Sequence, residues 1–140
     1  MELNNRTWKA LPDMREGRGY FNPCLFSGCV YLCGRDSQLV EAFSPQTDSF
    51  LPLQLSLPED QHCCLYVHNN LLVVHSNQYI SKFTVGQKGQ LVQHSQVPSP
   101  PVYKHSNSQP VVDKGLFFLF QETQVVSFNM ETGAQVRSFT

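Results

Sequence analysis

The sequence predicts an all-β chain of about three four-stranded antiparallel units, and three observations carry that expectation. Apolar strand-like runs occur in pairs around tight-turn residues. A further run ending in phenylalanine follows each pair. The phenylalanines that end these runs, Phe43, Phe83 and Phe128, are spaced by 40 and 45 residues. A recurring four-strand unit of about 40 to 50 residues is the period of propeller blades, so the expected architecture is a partial β-propeller.

The first hairpin is Pro23-Cys24-Leu25-Phe26 and Cys29-Val30-Tyr31-Leu32-Cys33-Gly34 around Ser27-Gly28, a short turn dipeptide between apolar runs. The second pairs Cys64-Leu65-Tyr66-Val67 with Leu71-Leu72-Val73-Val74 around Asn69-Asn70, because asparagine tolerates the positive φ of such turns. In the third, Val111-Val112 and Leu116 to Phe120 flank Lys114-Gly115. The third strands end at Phe43, Phe83 and Phe128, followed by polar turns such as Ser44-Pro45-Gln46-Thr47-Asp48 and Asn129-Met130-Glu131-Thr132-Gly133. Fourth strands open at Phe50, Leu91 and Val136. With a two-residue turn at Ser27-Gly28, Cys24, Phe26, Cys29, Tyr31 and Cys33 share one face of the sheet, and Leu25, Val30 and Leu32 the other. Both faces are apolar, which calls for neighbouring sheets on both sides.

Composition agrees. Charged residues are 15% of the chain against 41% hydrophobic, below the roughly 25% charge of ordinary domains. A net charge of −1 and a pI of 6.5 lack the basic footprint of a nucleic-acid binder. Met1 to Ala10 has no apolar signal core, and no apolar run approaches the ~18 residues of a membrane span. The five cysteines (Cys24, Cys29, Cys33, Cys63 and Cys64) are odd in number and lie inside apolar runs, as reduced, buried thiols of a cytoplasmic protein would. In that compartment the sequon Asn5-Arg6-Thr7 stays unused.

The units resemble kelch repeats, in which an apolar strand ends in paired glycines and a spaced aromatic pair follows. Val30-Tyr31-Leu32-Cys33-Gly34 keeps the first glycine and has Arg35 at the second; Phe43 and Phe50 stand for the aromatic pair. The second and third units lack the glycines. Arg6-Thr7-Trp8-Lys9-Ala10-Leu11-Pro12-Asp13-Met14, followed by Arg18, is similar to the segment that joins kelch blades. The resemblance implies an incomplete propeller: an outer-strand remnant over 1–14 and blades over 18–58, 59–98 and 99–140. It implies a protein-interaction scaffold, such as the substrate-recognition part of a ubiquitin-ligase adaptor or a cytoskeletal partner. Galactose-oxidase-like and sialic-acid-mutarotase-like enzymes also use kelch blades, and a non-functional truncated paralogue is the third alternative. Because propellers close with about 4 to 8 blades, three blades are either part of a larger ring or half of a homodimer that completes a six-blade ring.

Chemistry is sparse. The cysteines lack Cys-x₂-Cys metal spacing, and Cys63 and Cys64 point to opposite faces of a strand. The five histidines lack an HExxH arrangement. There is no nucleophile elbow, and Gly17-Arg18-Gly19 and Gly86-Gln87-Lys88-Gly89 lack the strand–loop–helix setting of a phosphate cradle. No catalytic residue, metal or cofactor is expected, and no nucleic-acid or membrane partner. In an antiparallel blade the second-to-third and inter-blade connections share one rim, and here that rim carries the long segments 13–22, 57–62 and 96–109. Loops on a rigid scaffold carry function, so the expected partner-binding residues are Arg15, Arg18, Arg35, Asp36, His75, Asn77, Tyr103, Lys104 and His105. Arginine and tyrosine are enriched in interface hot spots, although each of these residues also fits a solvated loop.

Overall fold

The computed structural model describes residues 7–15, 21–34, 37–57, 63–76, 78–99, 111–120 and 125–139. Within them the chain forms strands β1 (Phe21–Phe26), β2 (Cys29–Gly34), β3 (Ser37–Ser44), β4 (Ser49–Phe50), β5 (Leu55–Ser56), β6 (Cys63–His68), β7 (Leu71–Ser76), β8 (Tyr79–Val85), β9 (Leu91–Pro98), β10 (Val111–Asp113), β11 (Leu116–Phe120), β12 (Val125–Asn129) and β13 (Gln135–Phe139). No helix occurs among the described residues.

The strands form three antiparallel meanders: β1-β2-β3-β4 with β5 also on β3, then β6-β7-β8-β9, then β10-β11-β12-β13. The outer edge of the first sheet is split because Pro52 has no amide hydrogen for the ladder. β4 therefore pairs Phe50 with Phe43, and β5 resumes on the same strand with Leu55 opposite Val40. Leu51 and Leu57 hold the two pieces to β3 by donating their amides to the Ala42 and Gln38 carbonyls at 2.8 and 2.7 Å.

All three expected hairpins form. Phe26 pairs with Cys29, His68 with Leu71 and Asp113 with Leu116. Each turn has two residues at positive φ: Ser27 and Gly28 (51° and 78°), Asn69 and Asn70 (50° and 61°), Lys114 and Gly115 (49° and 77°). Positive φ at both central positions is the I′ geometry, whose twist matches that of paired strands.

The registers place the faces as the alternation requires. For each sheet we call the side toward the next sheet in the chain its front and the other its back. Tyr31 and Cys33 on the front of the first sheet meet Leu65, Leu72, Val74 and Phe83 on the back of the second. Cys64, Tyr66, Val73 and Ile80 on the front of the second sheet meet Phe117, Val126, Phe128 and Met130 of the third. The middle sheet is thus buried on both sides, and each fully buried Val, Leu or Phe contributes about 1.5 to 3 kcal/mol. Successive meanders stacked face to face are successive blades, and the architecture is a partial β-propeller.

Residues 7–14, expected as an outer-strand remnant, form no strand. They cross the back of the first sheet instead. Lys9 pairs with Asp48, and Leu11, Pro12 and Met14 face Val30, Leu32 and Phe43.

Candidate interaction surfaces

The back of the first sheet carries an open concavity with a mostly apolar lining. The pairings Val30↔Phe43 and Leu32↔Glu41 put these four residues on one face, and Phe50, opposite Phe43, packs on it edge-on at 5.4 Å between centroids. Over them the segment 7–15 forms a strap fixed near both ends. At one end is the exposed Lys9–Asp48 pair. At the other the Arg15 amide donates to Glu41 Oε1 at 3.0 Å, and the Arg15 guanidinium lies 3.7 Å from the same oxygen. Glu41 is 2% exposed on an otherwise apolar face, where a carboxylate requires hydrogen-bond and charge partners. That requirement holds the strap. Between strap and sheet lies a groove of about 600 Å³ lined by Leu11, Pro12, Met14, Val30, Leu32, Phe43, Pro45, Asp48 and Phe50. Leu25, on the same face through its pairing with Val30, is 70% exposed.

A second apolar surface is the front of the third sheet. Val111 pairs with Phe118, and Phe120 with Val125; Val111 and Phe120 are about half exposed, and Leu116 and Phe118 partly so. A third concavity, about 480 Å³, opens between the hairpin tips of the first and second sheets, lined by Leu25, Phe26, Ser27, Val67, Asn70, Thr84 and Val85. It lies on the rim of compact turns, the side the loop argument leaves aside.

His75 corrects the sequence reading. It is fully buried, so it offers no contact to a partner in this arrangement. It pairs with Cys64 and Ile80 on the front of the second sheet, the side that packs on the third. Its Nδ1 lies 3.0 Å from the Tyr66 hydroxyl and its Nε2 3.1 Å from Ser99 Oγ. Its ring meets Phe117 edge-to-face at 4.6 Å. Alternation along β7 makes Val73 and His75 face one way, and the third sheet covers both. Burial lowers the His75 pKa to about 3 and pushes the Tyr66 hydroxyl well above its ordinary range. The Ser99–His75–Tyr66 chain has the connectivity of a nucleophile, a base and an orienting group. An imidazole that protonates only near pH 3 is a weak base. All three residues belong to the second sheet, so the trio ties β6, β7 and the end of β9 together beneath the third sheet, whose Phe117 packs on the His75 ring.

Two more contacts define that joint. Lys82, itself buried, donates from Nζ to Glu131 Oε1 at 2.8 Å, and this hydrogen bond holds the Glu131 carboxyl below its ordinary pKa. Gly133 packs so closely on the Pro98 carbonyl that a Cβ there would collide with the oxygen.

Of the other expected contacts, Arg15 is half exposed and anchors the strap. Arg18, Arg35, Asp36, Asn77, Tyr103, Lys104 and His105 lie outside the described residues. Among the cysteines, Cys33 and Cys64 are buried and Cys24 and Cys29 half-buried, and none of the four is in a disulfide; burial raises the Cys24 pKa, which favours the thiol form. The groove was missed as a site because its residues read as core. The signal that could have found it is the apolar back face Leu25, Val30, Leu32 of the first unit, which no other sheet among the described residues covers.

No protein-family model matches the chain, and no curated protein matches it. Among solved structures it is similar to Kluyvelomyces marxianus Hsv2, at 13% identity and a TM-score of 0.42 over 80% of this chain. It is also similar to Kluyveromyces lactis Hsv2, at 11% identity and a TM-score of 0.42 over 80% of this chain. The chain spans about half the length of each, 48% and 47%.

Proposed function

We propose that the chain is a non-catalytic, kelch-type scaffold of the cytoplasm that binds other protein through the exposed faces and loops of its blades. One observation carries the reading: the back of the first sheet presents a groove of about 600 Å³ walled by Val30, Leu32, Phe43 and Phe50. An open concavity of apolar side chains supplies binding free energy by releasing water from that area. The surrounding sheet is rigid, so little ordering entropy opposes the contact. The kelch resemblance extends the reading to the partners such blades serve, a ubiquitin-ligase substrate or a cytoskeletal protein, with the loop residues Arg18, Arg35 and Tyr103 as further contacts.

A photo-reactive amino acid at Leu11, at the mouth of the groove, tests the reading in cells. Its control is the same group at Lys88, in the exposed β8–β9 turn. Defined protein adducts at Leu11 and none at Lys88 are the expected result. Equal labelling at both positions, or none at either, overturns the assignment of the groove.

A further inference from the structure

Between the first two sheets, beside their outer strands, lies a crevice of about 190 Å³, separate from the groove and from the concavity at the hairpin tips. It originates in the break of the first sheet's edge. Beyond Pro52 that edge resumes as β5 for only two residues, so Leu55 and Leu57 reach the core shared with the second sheet while Ser56 stands at the opening. Gln54 ties the edge to the second sheet: its Oε1 accepts the Leu91 amide at 3.2 Å, and its Nε2 donates to the Pro52 carbonyl at 2.7 Å. The floor is the back of the second sheet, with Val74 and Phe83 buried at its base and Tyr79, 41% exposed, at its margin.

A β-bulge supplies the polar side chains. In β9, Gln93 pairs with Phe83 and Ser95 with the preceding Lys82, so one extra residue, His94, stands between them. Residues three apart on a regular strand point to opposite faces. Here the bulge turns Gln93 and Gln96 onto the same back face, and both line the crevice. Bulges re-aim side chains in this way beside functional sites. The Gln96 amide donates to Ser81 Oγ at 3.1 Å. Ser76 Oγ accepts the Tyr79 amide at 3.0 Å, which sets where β8 and its leading Tyr79 ring begin.

We propose that this crevice binds one neutral sugar ring. None of its lining residues is Asp, Glu, Lys, Arg or His, so a phosphate or carboxylate ligand would lose its water there with no lining cation to meet it. Two side-chain amides and the Tyr79 and Ser56 hydroxyls each both donate and accept hydrogen bonds, as the vicinal hydroxyls of a sugar do. The apolar base of Val74 and Phe83 and the walls of Leu55 and Leu57 suit the C–H face of a pyranose, whose burial adds a hydrophobic contribution. The volume is below the about 300 Å³ at which drug-sized sites begin, so the ring is single. The proposal goes beyond the scaffold reading and does not depend on the groove, because the joint it uses is formed by described residues.

The test is saturation-transfer NMR on the whole chain with the methyl glycosides of glucose, galactose, mannose and N-acetylglucosamine. At least one should bind with a Kd on the order of 1 mM, the scale of a ligand of about a dozen heavy atoms. Gln93→Ala and Gln96→Ala, both at exposed positions, should each weaken binding about tenfold with an unchanged circular dichroism spectrum. His94→Ala, on the same strand but outside the crevice, should leave binding unchanged. The analogue of the bound sugar with a carboxylate at carbon 6 should bind about tenfold more weakly. No binding of any glycoside up to about 10 mM overturns the proposal, as does binding that survives both glutamine substitutions or tighter binding of the carboxylate analogue. A second arm presents the bound ring on serum albumin. Capture of that conjugate, released by the free methyl glycoside, assigns the end of a protein-borne glycan as the source, and binding of the free glycoside alone assigns a free sugar.

Discussion

His75 shows how one buried polar side chain sets a pH response. Its folded pKa of about 3 lies below the ordinary 6.5, so between these values the unfolded chain binds a proton that the folded chain does not. The His75 contribution is therefore fully present above about pH 6.5 and is lost as pH falls toward about 3. At about pH 4.5, two units below the unfolded value, the folding equilibrium should have fallen by roughly 100-fold, about 2.7 kcal/mol. Urea unfolding at the two pH values measures this, and His75→Gln should flatten that part of the dependence. The lowered Glu131 pKa acts in the same direction at lower pH, and its exposure makes it the lesser effect. Gly133 tests the same joint by shape. A methyl group there meets the Pro98 carbonyl oxygen at a backbone φ of 73°, so Gly133→Ala should destabilise by about 1 to 3 kcal/mol, read as a lower denaturant midpoint.

At the scale of the element, the hairpin turns are the most legible feature of the chain, because I′ geometry admits few residue types. Ser27-Gly28 and Lys114-Gly115 place glycine second, whereas the middle hairpin holds Asn70 at φ 61°. Asn-Gly is the favoured dipeptide for this turn, so Asn70→Gly should stabilise by up to about 1 kcal/mol and Asn70→Val should cost more than that. A shift of the thermal midpoint in opposite directions checks the pair. The split of β4 from β5 was equally open to reading, since Pro52 cannot donate to the ladder. The strap was not. Residues 7–14 carry alternating apolar positions suited to a strand, but the ladder edge they would need is not supplied by the described residues, and Asp48 on Lys9 and Glu41 on the adjoining Arg15 hold the segment across a face instead.

For the whole molecule, stability resides in two interlocked layers that share the middle sheet. Phe117 is fully buried, stacked on Phe128 at 4.9 Å and set against His75. Phe117→Ala should therefore cost about 3 to 5 kcal/mol and release the third sheet first, visible as faster amide exchange in β10–β13 than in β1–β3. The reciprocal expectation holds for Tyr31, which seals the first joint: its truncation should speed exchange in β1–β3.

What the sequence by itself determined was periodic and local. Turn residues placed the hairpins, two-residue alternation assigned Tyr31 and Cys33 to one face and Val30 and Leu32 to the other, and the recurring phenylalanines set the unit length. Each of these depends on neighbours a few residues away, so it is written in the order of the chain. Only the tertiary structure decided which apolar faces are covered. The same alternation that sends Val30 into an open groove sends Leu72 into a sealed layer, and the difference lies entirely in whether another sheet stands opposite. His75 is the sharpest case. A polar residue closing an apolar strand reads as exposed, yet Tyr66 and Ser99, 9 positions before it in β6 and 24 after it at the end of β9 of the same sheet, lie against its two ring nitrogens, and Phe117 of the third sheet is brought onto its ring only by the packing of sheet on sheet.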